Sequence, residues 1–255
     1  MIQDLLYCLK RWRLIHLIGI TGLRSRYARS AIGQLWLTLF TMIQIGVTGV
    51  VWSLIWGMEI KDYLPYVGLG HVIYLYASQS INESTGCIAA EARLFYNDPM
   101  PLLMAVLAHL YKHFIVFLHN IPIIILLLIY GNISSEWHIS ALFLAPVLIF
   151  IFMSSIFLSI VANRYRDVTQ VIALIFQLTF LVTPIMWKLD FVPEEYRIFF
   201  LLNPMASMLE LLRNPLLNMP YSELALSILV GWTAIFTLGA TWAYKKYRRH
   251  FIFWL

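Results

Sequence analysis

Three arginines, Arg24, Arg26 and Arg29, stand close together beside Tyr27, immediately ahead of an apolar run that opens at Ile32. A guanidinium presents a planar fork of donors that matches phosphate oxygens, so this stretch can hold a lipid headgroup or a diphosphate. The same charges at the start of a hydrophobic segment also anchor it on anionic lipid, and residue types alone leave both readings open. A second polar set, His109, Lys112, His113 and Asn120, recurs at spacings that place it on one helix face. Lys112 there can attract phosphate, but such stripes more often snorkel at the membrane interface, and that is the preferred reading. The two histidines have no third ligand nearby in the sequence and no His-Glu-x-x-His pattern occurs, so no metal site is assigned. The acidic residues lie almost wholly outside the apolar runs, which argues against an intramembrane enzyme and against a secondary transporter with an acidic coupling residue. No catalytic residue is assigned.

The elements that must position these groups are membrane helices. The chain has 255 residues, 61% hydrophobic and 12% charged, far too apolar for a water-soluble domain of this length. Its net charge of +5 sits beside apolar runs rather than on a soluble basic face, which points to membrane phosphates and away from nucleic acid. Residues 1–31 read as a cytoplasmic amphipathic segment, with Leu5, Leu9 and Trp12 on one face, lying along the interface. Residues 32–255 form a six-span domain, with spans at about 32–57, 63–82, 114–130, 141–162, 168–187 and 224–244. The second is polar, with Gly68, Gly70, His71 and Ser78, and is expected to face other helices or a water-filled path. The third is expected to follow an interfacial beginning and to be broken by Pro122. Between the last two spans, residues 188–223 carry Asn203-Pro204 and Asn214-Pro215 breaks, which suggests a helical hairpin in the outer leaflet. The fold class is thus an all-α membrane protein.

Thirteen basic residues fall on one side of this topology (Lys10, Arg11, Arg13, Arg24, Arg26, Arg29, Arg93, Arg164, Arg166, Lys245, Lys246, Arg248 and Arg249) and four on the other (Lys61, Lys188, Arg197 and Arg213). The positive-inside rule then places both termini in the cytoplasm. Cys8 and Cys87 fall on that same side, so no disulfide is expected.

Three patterns in this order carry a resemblance: Arg-x-Arg-Tyr-x-x-Ser-x-x-Gly-x-x-Trp over 24–36, the Arg164-Tyr165-Arg166-Asp167 turn leading to Thr183-Pro184-Ile185-Met186-Trp187, and Leu202-Asn203-Pro204-Met205. Together they resemble the membrane subunits of ABC-2 type polysaccharide exporters, above all the O-antigen export permeases, with capsule and teichoic-acid permeases nearby. The resemblance implies a homodimer in the bacterial inner (plasma) membrane, paired with two copies of a cytoplasmic ABC ATPase and exporting an undecaprenyl-diphosphate-linked polysaccharide. An ABC-2 exporter of drugs or small lipids is the nearest rival. The chain has no Gly-x-x-x-x-Gly-Lys-Ser/Thr loop, so it is not itself expected to bind ATP in that manner; ATP and Mg²⁺ would belong to the partner, and the chain is a transport subunit rather than an enzyme.

The resemblance also assigns the remaining candidates. Residues 86–101 match the family's coupling helix, with Ile88, Glu91, Arg93, Leu94, Phe95 and Tyr96 meeting the ATPase, and Arg164, Arg166 and Asp167 give it a second contact or form a salt-bridged turn. Trp52, Tyr66, Tyr74 and Tyr76 are candidates to line a channel in which sugar rings slide over aromatic faces; an interfacial aromatic belt accounts equally well for Trp52. Glu194, Glu195, Glu210 and Arg213 lie where the family has its outer gate helices, or else on a plain outer-leaflet cap. Arg24, Arg26, Tyr27, Arg29 and Lys112 are the candidates for the substrate headgroup.

Overall fold

A computed structural model describes residues 1–28, 30–92, 95, 100–248 and 251–254, with the side chains of residues 26, 27, 252 and 253 left out. Among these residues all regular structure is helical. In chain order the α-helices are α1 (Ile2–Lys10), α2 (Trp12–Tyr27), α3 (Leu35–Trp56), α4 (Ile60–Asn82), α5 (Cys87–Ala90), α6 (Leu103–Gly131), α7 (Trp137–Arg164), α8 (Asp167–Val182), α9 (Glu194–Leu201), α10 (Pro204–Leu216) and α11 (Glu223–Tyr247). Short 3-10 turns occupy Glu83–Gly86, Leu189–Phe191 and Phe251–Trp254.

Four of the helices, α3, α6, α7 and α11, are both long and apolar enough to cross a membrane. The other two expected spans differ for separate reasons. Helix α4 is long enough at 23 residues but more polar, and α8 is apolar but has only 16 residues, roughly 24 Å at 1.5 Å per residue against about 30 Å of hydrocarbon. The polarity of α4 is matched by its place: Gly68, Gly70, His71, Ser78 and Ser80 are all buried, and the helix packs against α3, α6, α7, α8 and α10. No residue of α8 is buried, and it touches chiefly α4 and α7. It stops at Val182 rather than running to Trp187, because Thr183 precedes Pro184 and is driven into extended backbone (ψ 134°).

One expectation is corrected. Pro122 does not break the third span: α6 runs continuously from Leu103 to Gly131 through Pro122. A proline inside a membrane helix is tolerated where neighbouring groups and small backbone adjustments satisfy the freed carbonyl. In the N-terminal helices Leu9 and Trp12 are exposed, while Cys8, Ile15 and Leu23 are buried.

Among the described residues the interior holds two large hydrophobic clusters and a smaller one, of Ile45, Val72, Ile123 and Leu127, where α3, α4 and α6 meet. One of the large clusters lies toward α9 and α10 and gathers Tyr63, Tyr66, Tyr74, Phe150, Met208 and Leu209; the other lies toward the chain termini and gathers Cys8, Ile88, Leu103, Ile156, Tyr244 and Phe251. At the terminal end the Tyr244 hydroxyl donates to Asp4 Oδ2 at 2.7 Å, and Arg248 approaches the same oxygen at 3.8 Å. These contacts seat α1 on the end of α11.

Candidate functional site

Where α2, α3, α4 and α6 meet, the structure leaves a cavity of about 270 Å³, bounded by Leu23, Trp36, Phe40, Gln79, Lys112, His113 and Asn120 among others. Trp36, which closes the arginine-bearing motif, and Lys112, of the α6 stripe, both line it. That stripe is not a snorkelling set: His109, His113 and Asn120 are buried, at 7%, 3% and 4% exposure. The reason is that this face of α6 packs on α4. His109 Nε2 lies 3.1 Å from the Ser80 carbonyl and its ring 4.5 Å from that of His113. The Oδ1 of Asn120 is enclosed without a hydrogen-bond partner.

One carboxylate oxygen organises the wall of this cavity. Glu83 Oε2 lies 3.2 Å from His113 Nε2 and 3.6 Å from Lys112 Nζ. Burial pushes the Glu83 carboxyl up, but the His113 hydrogen bond and the positive field of His113, Lys112 and His109 outweigh it and hold the group down at about 2. Sequence reasoning missed Glu83; the signal was an acidic residue just past the polar α4, one turn from the coupling stretch. Arg24 is exposed on α2 beside Leu23. The side chains of Arg26 and Tyr27, and Arg29 altogether, lie outside the described residues.

From Glu83 the chain passes through a 3-10 turn into the four-residue α5. Ile88, assigned to face a partner, instead points inward at 1% exposure. Cys87 beside it is also buried, and burial pushes its thiol up to about 12. Phe95 is likewise internal and packs edge-on against Phe251 at 5.1 Å, tying the coupling stretch to the C-terminal turn. Glu91 stays half-exposed; burial raises its carboxyl, with Lys112 opposing. Arg93, Leu94 and Tyr96 lie outside the described residues. Arg164, Arg166 and Asp167 are exposed at the α7–α8 turn, and the Arg164 guanidinium lies 5.3 Å from the Trp254 ring. No salt bridge is found within this turn among the described residues.

The opposite end of the bundle holds a second cavity, of about 340 Å³, between the start of α4, the link after α8, and α10. Its central group is Arg213, 4% exposed, whose Nη1 donates to the Pro184 carbonyl at 2.6 Å and whose guanidinium lies 3.9 Å from the Tyr66 ring centroid. Gly70 makes this possible, since a Cβ there would stand 3.1 Å from Arg213 Nη1. Glu210 Oε1 accepts from the Ser222 N–H at 2.8 Å. Burial raises the Glu210 carboxyl and lowers the Arg213 guanidinium from their ordinary values. Glu194 and Glu195 are exposed at the start of α9, apart from these two.

The aromatic candidates are corrected by their surroundings. Tyr66 and Tyr74 are buried inside the chain, the Tyr66 hydroxyl donating to the Trp187 carbonyl at 3.0 Å and the Tyr74 hydroxyl to the Phe176 carbonyl at 2.6 Å. Their spacing along α4 turns them toward α8 and the segment after it, so their hydroxyls tie helices together, and Tyr66 also borders the second cavity. Tyr76 is half-buried against Phe117 at 4.6 Å, and Trp52 is half-buried and stacked on Trp56. Among the described residues no group of three or more His, Cys, Asp or Glu stands ready to hold a metal ion.

The chain is similar in sequence to known membrane-transport proteins. Two proteins of Klebsiella pneumoniae, each named O-antigen export system permease protein RfbA, are 27% identical to this chain; the alignments cover 92% and 91% of it and 93% and 92% of the relatives. A polysialic acid transport protein KpsM of Escherichia coli is 23% identical, over 88% of each chain. The sequence model of the family described as ABC-2 type transporter matches residues 14–217, most of the chain and both ends of the bundle. The protein therefore belongs to the ABC-2 type transporter family.

Proposed function

We propose that this chain is the permease subunit of an ATP-driven exporter of polysaccharide, carrying an undecaprenyl-diphosphate-linked glycan of the O-antigen kind across the bacterial inner membrane. Two copies form the path, and two copies of a separate cytoplasmic ATPase, which holds ATP and Mg²⁺, supply the energy. In this reading α3, α4, α6, α7, α8 and α11 are the six spans of a domain over 32–255, residues 1–31 lie at the cytoplasmic interface, and both termini are cytoplasmic. Helices α9 and α10 form the outer hairpin, with Glu194, Glu195, Glu210 and Arg213 as its gate.

The observation that carries the reading is the Trp36–Lys112–Asn120 cavity and its link through Glu83 to the coupling stretch. Arg24, Arg26 and Arg29 draw the diphosphate to the mouth of this region, with Tyr27 beside them, and the Lys112 ammonium extends the positive path inward. Because Glu83 is both the neighbour of Lys112 and the first residue of the turn before α5, a displacement of the coupling stretch by the ATPase reaches the cavity wall through one ion pair. The half-exposed Glu91 and the exposed Arg164, Arg166 and Asp167 supply the ATPase contact, with Arg93, Leu94 and Tyr96; Ile88 and Phe95 hold the coupling stretch to the bundle. The names of the relatives support a polysaccharide as cargo.

Replacing Arg24, Arg26 and Arg29 together with Gln tests the uptake step. Export of the lipid-linked glycan is expected to fail while membrane insertion and copurification with the ATPase persist. Loss of insertion would return the segment to a topological anchor, and unchanged export would refute the assignment. If the intact chain copurifies with no ATPase, or its deletion leaves all surface glycan in place, the function itself is wrong. Similarity to the polysialic acid transport proteins favours capsule export as the second reading; the glycan that accumulates inside a deletion strain separates the two.

A further inference from the structure

The cavity at the hairpin end is lined by Tyr66, Lys188, Arg197, Glu210, Arg213 and Asn214, with Tyr221 at its edge. Its volume of about 340 Å³ falls in the range of roughly 300–1,000 Å³ typical of small-molecule sites. Three of its residues carry enclosed polar atoms without a hydrogen-bond partner: Glu210 Oε2, Arg213 Nε and Asn214 Oδ1. They sit at i, i+3 and i+4 of α10, so they share one face. A buried polar atom without a partner is one that a ligand or an ordered water completes, and here three such atoms stand along one wall.

Their chemistry selects the ligand. Arg213 Nε is a donor, Asn214 Oδ1 an acceptor, and Glu210 Oε2 an acceptor when ionised and a donor when protonated. An anion offers only acceptors and has nothing to give Asn214, while a cation would confront Lys188, Arg197 and Arg213. A hydroxyl both donates and accepts, so neighbouring hydroxyls on one ring satisfy all three atoms in either state of Glu210. The Tyr221 ring, 39% exposed, offers an apolar face beside them. We infer that this cavity is a saccharide subsite, taking one sugar unit of the glycan at the end of the bundle opposite the chain termini. The inference rests on the polysaccharide reading for where its ligand comes from, but binding can be measured without export.

The test uses the full chain in nanodiscs and three free probes: methyl α-mannoside, methyl β-galactoside and the methyl β-glycoside of N-acetylglucosamine. Saturation-transfer NMR is expected to show contact with at least one probe, reduced fivefold or more in Glu210→Gln/Asn214→Leu and unchanged in Glu59→Gln, an exposed position outside the cavity. A diazirine derivative of the bound glycoside, photolysed on the unaltered protein, is expected to label the 184–190 or 210–222 region; this second measurement does not depend on the variant folding. No transfer above empty nanodiscs, transfer insensitive to the double variant, displacement of the sugar by inorganic pyrophosphate, or labelling elsewhere overturns the subsite. A strain that exports glycan normally without this chain refutes the function above and leaves the binding result standing.

Discussion

Asn203 offers the sharpest test of how the hairpin is held. Its Oδ1 accepts from the Met205 N–H at 3.0 Å and so caps α10, while its Nδ2 donates to Thr183 Oγ1 at 2.9 Å; the Thr183 hydroxyl in turn donates to the Thr179 carbonyl at 2.7 Å. One side chain thus starts α10 and ties it to the end of α8. Asn203→Ala removes a cap worth about 1 kcal/mol. It also removes a side-chain hydrogen bond, which in membrane proteins is worth about 0.6 kcal/mol on average and up to about 1.7. The whole substitution should cost about 2 kcal/mol. Asn203→Asp keeps the capping oxygen and loses only the donor, so about half that cost is expected. The assay is reversible unfolding in mixed micelles of rising SDS content, followed by tryptophan fluorescence; Trp232, whose Nε1 donates to the Leu202 carbonyl, reports on this corner. A double-mutant cycle with Thr183→Val isolates the tie, and a coupling of about 1 kcal/mol is expected. A coupling within about 0.3 kcal/mol of zero, the scatter of independent sites, would show that Asn203 does not hold the hairpin to α8.

Glu83→Gln should destabilise the bundle in a pH-dependent way. The folded carboxyl is held below its ordinary value of 4.5, at about 2, so the wild-type advantage should be full above about pH 4.5 and fade as pH falls toward 2; a difference in melting temperature that instead grows as pH falls would refute the pairing with Lys112 and His113. Gly68→Ala should cost about 1–3 kcal/mol, since the new Cβ would stand 2.5 Å from Leu127 Cδ1 and 3.0 Å from Ile45 Cγ2. Gly231→Ala, where nothing lies within 4 Å, should instead stabilise α11 by about 0.5–1 kcal/mol, and the same SDS titration compares the two. Tyr74→Phe should cost about 0.5–1.5 kcal/mol through the lost bond to the Phe176 carbonyl; no change would mean that α8 is held elsewhere.

The helical class, the membrane setting and the polarity of α4 were legible in the sequence because hydropathy and charge act locally, residue by residue along the chain. So was the break at Asn203-Pro204, since proline restricts the backbone of the residue before it whatever surrounds it; the same restriction at Thr183-Pro184 ends α8 at Val182, short of the Trp187 expected. The arginine motif and the α6 stripe were also visible as patterns. What the sequence did not contain was which face of each helix meets which neighbour. The α6 histidines look like a snorkelling set until α4 is placed against them, and Glu83 looks like loop until His113 and Lys112 arrive from a different helix. Tyr66 and Tyr74 read as channel linings by type and spacing, yet their hydroxyls serve carbonyls more than a hundred residues away. Arg213 reads as one more hairpin charge, and only the space left by Gly70 shows that it lies buried on an aromatic ring. Periodicity along one helix says that a face is special; whether that face is interior, interfacial or a binding wall is decided by contacts remote in sequence, and tertiary packing alone supplies those.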